Sequence, residues 1–187
     1  MQEKGERDKR KYASVLRAHA MRVNEAEAGV GMTEDEAKDY LVSTRSNMML
    51  GTVDAAGNPC IQPVWYYFDH QTQRLYMFTS RKSAKASNIK RNNVVYFDVD
   101  DDRFPYRGVR GRGYAKEVAD KRTALGFMEK ILARYIKPNH PLSSRYLSGV
   151  EGGNEMVVEI TPAYFTAWDM RKVGPEALRS YGEAVLT

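Results

Sequence analysis

The chain has 187 residues, 42% of them hydrophobic and 28% charged, with 29 Lys and Arg against 24 Asp and Glu for a formal net charge of +5. That length suits one domain with an appended arm, and the mixture excludes both a disordered chain and a periodic fibre. The single cysteine, Cys60, excludes a disulfide framework and points to a reducing compartment.

In chain order, residues 6–28 read as one helix, with Tyr12, Val15, Leu16 and His19 at helical spacing and Gly29 and Gly31 ending it. Thr33, followed three residues later by Glu36, forms a capping box that opens a second helix reaching about Thr44. The periodicity then switches to that of strands. Met48 to Val53 is the first strand, residues 54–58 are a turn, and Pro59 to Asp69 is the second strand. A turn at residues 70–73 leads to a third strand, Arg74 to Thr79, and then to a short helix from Ser83 to Arg91. Val94 to Val99 is the fourth strand. The acidic run at Asp98, Asp100, Asp101 and Asp102 marks a loop, and the glycine-rich stretch Tyr106 to Val118 is the fifth strand. Asp120 to Tyr135 is a clear amphipathic helix. Residues 137–154, rich in Pro, Gly and Ser, read as loop with one turn around Tyr146. Met156 to Trp168 is the last strand, and a short helix is expected at Glu176 to Tyr181. Consecutive strands on short turns predict an antiparallel sheet, and long glycine-containing members favour a small six-stranded barrel with peripheral helices. The expected domains are an N-terminal helical arm over 1–31, a barrel over 32–170 and a tail over 171–187.

The basic excess is local. Residues 81–122 hold twelve Lys and Arg against six Asp and Glu, and the remainder is close to neutral. Such a region suits an anionic partner or a solvated face. Metal and nucleophilic chemistry find little support. His19, His70 and His140 are far apart without a second ligand at helical spacing, and GxSxG, P-loop and strand–turn GxGxxG patterns are absent. No catalytic residue and no metal are therefore expected. With no apolar run near the roughly 18 residues of a membrane span and no signal-peptide core at the start, a cytoplasmic location is expected.

The segment Thr79-Ser80-Arg81-Lys82-Ser83-Ala84-Lys85 carries more chemistry. A strand ends and a helix begins within it, and hydroxyls and cations surround the N–H groups of the helix start. That combination can cradle a phosphate, or it can be an ordinary cap with solvated lysines.

With these elements in this order, the chain resembles the pyridoxamine 5′-phosphate oxidase-like family of split β-barrel proteins that bind flavin or deazaflavin nucleotides. The likeness spans roughly Thr33 to Trp168 and rests on the segments VDAAGNPCIQPVWYYFD, QRLYMFTSRKSAKASNIKRN, VVYFDVD and PYRGVRGRGYAKEV. It implies a homodimer with FMN between the two barrels, or a deazaflavin coenzyme of the F420 type. It assigns the cofactor phosphate to Thr79, Ser83 and Lys85, with Ser80, Arg81 and Lys82 close by. The ring would lie along the backbone of Ile61, Gln62, Pro63 and Val64, bordered by Arg110, with Trp65, Tyr66 and Trp168 as substrate-face candidates. The chain departs from true pyridoxamine phosphate oxidases at Ala84, Gly108, Tyr66 and the terminal AWDMRK, where the family's arginine, glutamine, lysine and Arg-x-His are missing. The resemblance therefore implies an oxidoreductase that moves a hydride to or from a small molecule. A non-enzymatic binder of haem, flavin or nucleic acid is the reading from another class. Nucleic acid fits poorly, because the aromatics sit on predicted core strands and not among the basic residues.

Overall fold

The computed structural model describes residues 23–24 and 29–185. In chain order these form β1 (Val23–Asn24), α1 (Glu34–Ser43), β2 (Met48–Val53), β3 (Pro59–Val64), β4 (Tyr66–Asp69), β5 (Arg74–Ser80), α2 (Ala84–Arg91) and β6 (Val94–Asp100). There follow β7 (Arg107–Glu117), α3 (Lys121–Tyr135), α4 (Pro141–Glu151), β8 (Glu155–Asp169), a 3-10 turn (Met170–Lys172) and α5 (Pro175–Val185). The helix expected over residues 6–28 lies outside the described residues except at Val23 and Asn24. Those two are extended and pair in parallel with Phe165 and Thr166 of β8.

One curled sheet runs in the order β3-β2-β6-β7-β8-β5-β4, every neighbouring pair along that path being antiparallel. The expected second strand over Pro59 to Asp69 is in fact two. Its break falls at Trp65, which sends β3 to one edge of the sheet and β4 to the other. Because consecutive pieces of chain form the two edges, the sheet has to curl until they meet, which makes a split barrel. Apolar character alone could not show this, since the run PVWYYF is continuous through the break. Pro59 and Pro63 agree with the edge position, four residues apart on the same side of a strand that needs no N–H there. β8 lies between β7 and β5, so it joins the two halves of the sheet.

Alternation fills the barrel. Met48 and Leu50 of β2, Val95, Phe97 and Val99 of β6, Leu75 and Met77 of β5, and Phe165 of β8 all point inward and are buried. The other face of β5 and β8 forms a second core under α3 and α4, where Tyr76 and Val157 meet Ala124, Met128, Ile131, Leu132 and Val150. Phe127 stacks on Tyr76 with ring centroids 3.5 Å apart. The expected loop over 137–154 is largely helix α4, opened by the ring nitrogen of His140 accepting from the Leu142 N–H at 3.2 Å and by Pro141 in its first turn. Its Leu142, Tyr146, Leu147 and Val150 have helical spacing that the Gly and Ser content obscured. The expected short helix near the end is longer, Pro175 to Val185. No helix among the described residues is long and apolar enough to cross a membrane.

The capping box of α1 forms as the sequence predicts. The Glu36 N–H donates to Thr33 Oγ1 at 3.3 Å, and the Thr33 N–H donates to Glu36 Oε2 at 2.7 Å. Replacing Thr33 with alanine is expected to cost about 1 kcal/mol. A urea midpoint lowered by that energy divided by an unchanged slope would confirm it, and an unshifted midpoint would refute it.

Candidate functional site

The site begins where β5 ends. Thr79 is buried, and its hydroxyl lies 2.9 Å from that of Ser83, which tethers the strand end to the cap of α2. Ser83 Oγ in turn accepts from the Ala86 N–H at 3.2 Å, and the Ser83 N–H donates to Ser80 O at 3.0 Å. The turn is therefore folded by its own hydroxyls. Ala84 and Lys85 contribute the first two N–H groups of α2, the donors that a helix start leaves without helical carbonyls. Lys85, one position into that helix, reaches the same space.

That space is a cavity of ≈ 390 Å³ bordered by Pro63, Val64, Trp65, Thr79, Ser80 and Lys85, with Asn47, Phe78, Tyr146 and Glu155 completing it. Elements far apart in sequence build it: the β3–β4 corner, the β5–α2 turn, α4 and the start of β8. One wall is aromatic. Trp65 stacks on Tyr135 with centroids 5.3 Å apart and planes 5° from parallel, and Tyr146 meets Phe78 edge-on at 4.8 Å. The other wall is charged. Burial pushes the Lys85 ammonium below its ordinary pKa, with Glu155 opposing that shift. Burial pushes the Glu155 carboxyl above its ordinary value, opposed by Lys85 and Arg145. A half-buried cation beside hydroxyls and free N–H groups can hold one phosphate-sized anion, and the aromatic wall can take a planar group next to it.

The sequence-predicted residues do not all converge here. Pro63, Val64, Trp65, Thr79, Ser80 and Lys85 do, with Ser83 bonded behind Thr79. Arg81 does not, because its guanidinium is ion-paired with Glu117 of β7. Lys82 is exposed. Tyr66 is fully buried in the barrel, where its hydroxyl donates to Leu41 O at 2.9 Å; a side chain facing the core cannot serve as a substrate face. Gln62 lies beside the cavity's Pro63 in β3 but does not border the space itself. Asn47, Phe78, Tyr146 and Glu155 were not singled out from sequence. Tyr146 was detectable in principle from the apolar spacing of α4, whereas Glu155 arrives only through the pairing of β8 with β5.

Ile61 and Arg110 belong to a second concavity, of ≈ 730 Å³, on the outer face of β3, β2, β6, β7 and β8. There Met49, Ile61 and Tyr96 are 37%, 66% and 53% exposed, an unusual amount for large apolar side chains gathered on one face. Arg110 lies 5.5 Å over the Trp168 ring, and Arg112 lies 5.5 Å over that of Tyr164. Arg110 and Arg112 thus share a face of β7, both stacked on aromatics of β8. Trp168 fills the space above Gly108, where an added Cβ would come within 2.3 Å of the indole. Asp98 Oδ1 and Arg112 Nε are buried without a hydrogen-bond partner on this face. Burial and Asp100 push the Asp98 carboxyl up, with Arg110 opposing. Among the described residues no group of three or more His, Cys, Asp or Glu is placed to hold a metal ion.

A family model described as pyridoxamine 5′-phosphate oxidase matches residues 33–169. Among solved structures, the conserved hypothetical protein Rv2991 from Mycobacterium tuberculosis is 24% identical at a TM-score of 0.67, covering 82% of this chain and 99% of its own. An F420 reductase is 23% identical at a TM-score of 0.53, covering 68% of this chain and 94% of its own. An FAD-binding protein from Mesorhizobium loti is 16% identical at a TM-score of 0.53, covering 73% of this chain and 94% of its own. At these identities the likeness is one of fold. No curated protein matches the chain.

Proposed function

The chain belongs to the pyridoxamine 5′-phosphate oxidase family, and from that premise we propose that it is an oxidoreductase working with a flavin nucleotide, FMN, held in the cavity between the β3–β4 corner and the β5–α2 turn. One observation carries the reading: a single cavity borders Pro63, Val64 and Trp65 on one side and Thr79, Ser80 and Lys85 on the other. Lys85 would supply the charge for the cofactor phosphate, and Ser80 with the first N–H groups of α2 would supply hydrogen bonds. Among the described residues the outer edge of β3 has no strand partner, so its backbone groups can meet the donors and acceptors of a planar ring. The flavin, when bound, supplies the hydride chemistry; the protein's part is binding and orientation, which needs no dedicated acid or base.

The exposed Met49, Ile61 and Tyr96 around the second concavity suit a second copy of the chain, which would bring Arg110 and Trp168 of one protomer toward the ring site of the other. Oxidation of pyridoxamine phosphate itself is not part of the reading. Trp168 occupies the space in which a side chain at position 108 would have to extend toward the ring.

A deazaflavin coenzyme is the second reading, favoured by the basic residues Lys82, Lys90 and Arg91 on and beside α2, all exposed and able to meet an acidic tail. Haem binding finds no support in the two described histidines, since His70 sits exposed in a turn and His140 caps α4. The deciding measurement is the absorbance spectrum of the purified protein with its native mass. A yellow chromophore released on denaturation, in a particle of twice the chain mass, is expected. A colourless protein that binds deazaflavin and not FMN would replace the first reading with the second.

A further inference from the structure

We propose that Glu155 makes anion binding in the first cavity proton-linked, so that a doubly charged phosphate monoester enters together with one proton. The proposal rests on the cofactor reading for the identity of the ester and on the cavity's geometry for the rest. Glu155 opens β8 directly opposite Ser80 of β5, and both residues border the cavity with Thr79 and Lys85. Directly opposed residues in an antiparallel pair hold their Cβ atoms about 4.5–5.5 Å apart. A phosphate that accepts from Ser80 and pairs with Lys85 therefore lies beside the carboxylate. The stem of Glu155 packs on Gly149 of α4, where an added Cβ would come within 2.7 Å of its Cγ, so this close approach holds the start of the side chain against α4.

Every neighbouring element contributes to the balance. Lys85 from α2 and Arg145 from α4 hold the Glu155 carboxyl down, against burial that raises it. Tyr146 of α4 shares the wall, and Thr79 and Ser80 from β5 are neutral. Arg81, next in the chain, is engaged by Glu117 of β7. One ammonium and one carboxylate leave the floor of the cavity close to neutral, a poor match for a dianion. An entering dianion raises the affinity of Glu155 for its proton. Binding then takes up protons between the free and the occupied pKa, and anion affinity falls as pH rises through that window. The ligand works in the opposite sense, because its own second ionisation near pH 6 strengthens pairing with Lys85 as pH rises. That contribution is common to any variant of Glu155, so a difference between variants isolates the side chain.

The test titrates FMN, and separately inorganic phosphate, into the full chain freed of bound nucleotide. Wild type, Glu155→Gln and Glu155→Asp are compared by calorimetry between about pH 5.5 and about pH 8.5, in buffers of different ionisation enthalpy. Within the window Glu155→Gln is expected to take up fewer protons than wild type, and at the upper pH to bind FMN about tenfold more tightly, with the two affinities converging at the lower pH. Glu155→Asp keeps the charge and should keep the wild-type profile. Equal FMN affinity and equal proton uptake in wild type and Glu155→Gln would overturn the proposal and leave the flavin reading standing. A wild-type-to-Gln difference seen with phosphate, in a chain that does not bind FMN, would sustain the proposal and remove the flavin reading. Binding of neither probe by any of the three proteins would remove both.

Discussion

Replacing Lys85 with methionine is expected to weaken FMN binding by about a hundredfold, the equivalent of one or two charge-assisted hydrogen bonds to a phosphate. The thermal midpoint should hold or rise slightly. Burial holds the Lys85 pKa below its ordinary value, so its charged form is worse off in the folded chain than in the unfolded one. The sign follows from linkage: a lysine depressed on folding detracts from stability at neutral pH, and the deficit shrinks only as pH rises through the folded pKa. A neutral side chain of similar length relieves that burden and removes the anion contact. Riboflavin, which lacks the phosphate, should bind wild type and variant alike. Fluorescence titrations of both ligands decide the matter. An equal loss for FMN and riboflavin would mean that the lysine shapes the cavity and does not touch a phosphate.

Arg134→Met should lower stability by about 3 kcal/mol and the thermal midpoint by roughly 6–12 °C. Arg134 leaves α3 to close the far end of α1. Its guanidinium donates to Val42 O at 2.6 Å, to Leu41 O at 2.8 Å and to Thr44 O, and it lies 4.8 Å over the Tyr66 ring. Helix ends leave their last carbonyls unpaired, and here one planar fork reaches three of the carbonyls at the close of α1. Methionine matches the stem but leaves the Val42 and Thr44 oxygens without this donor, while Leu41 O keeps the Tyr66 hydroxyl. Lysine, a single point of charge, should recover only part of the loss. A midpoint within a degree or so of wild type for the methionine variant would show that water replaces the clamp at no cost.

Legibility in the sequence followed the range of the interactions. Alternation in Val94–Asp100 and helical spacing in Lys121–Tyr135 located β6 and α3 closely, because one buried face imposes one period. The hydroxyl-rich turn of Thr79 to Lys85 was visible for the same reason: a strand end, a cap residue and a helix start are all local. What escaped was long-range. Nothing near Trp65 says that the chain crosses there from one sheet edge to the other, since both sides of the break are apolar. Glu155 meets Ser80 only through strand pairing, and Arg81, a plausible phosphate ligand by position, is claimed by Glu117 from a distant strand. Tyr66 illustrates the remaining ambiguity. An aromatic run on a half-buried strand does not say which rings face in, and this one is fully enclosed.

The position of β8 bears on how the protein comes into being. The last strand in chain order among the described residues is the one that sits between β7 and β5. Until it emerges, the nascent chain holds two separate pieces of sheet, β3-β2-β6-β7 and β5-β4, with no ladder between them. Their joining pairs residues far apart in sequence and so belongs to the slow phase of folding. The anion cavity takes Ser80 from β5 and Glu155 from β8, so it does not exist before β8 docks and is created by that docking. A cofactor offered before β8 docks meets half a site; loading waits for that strand.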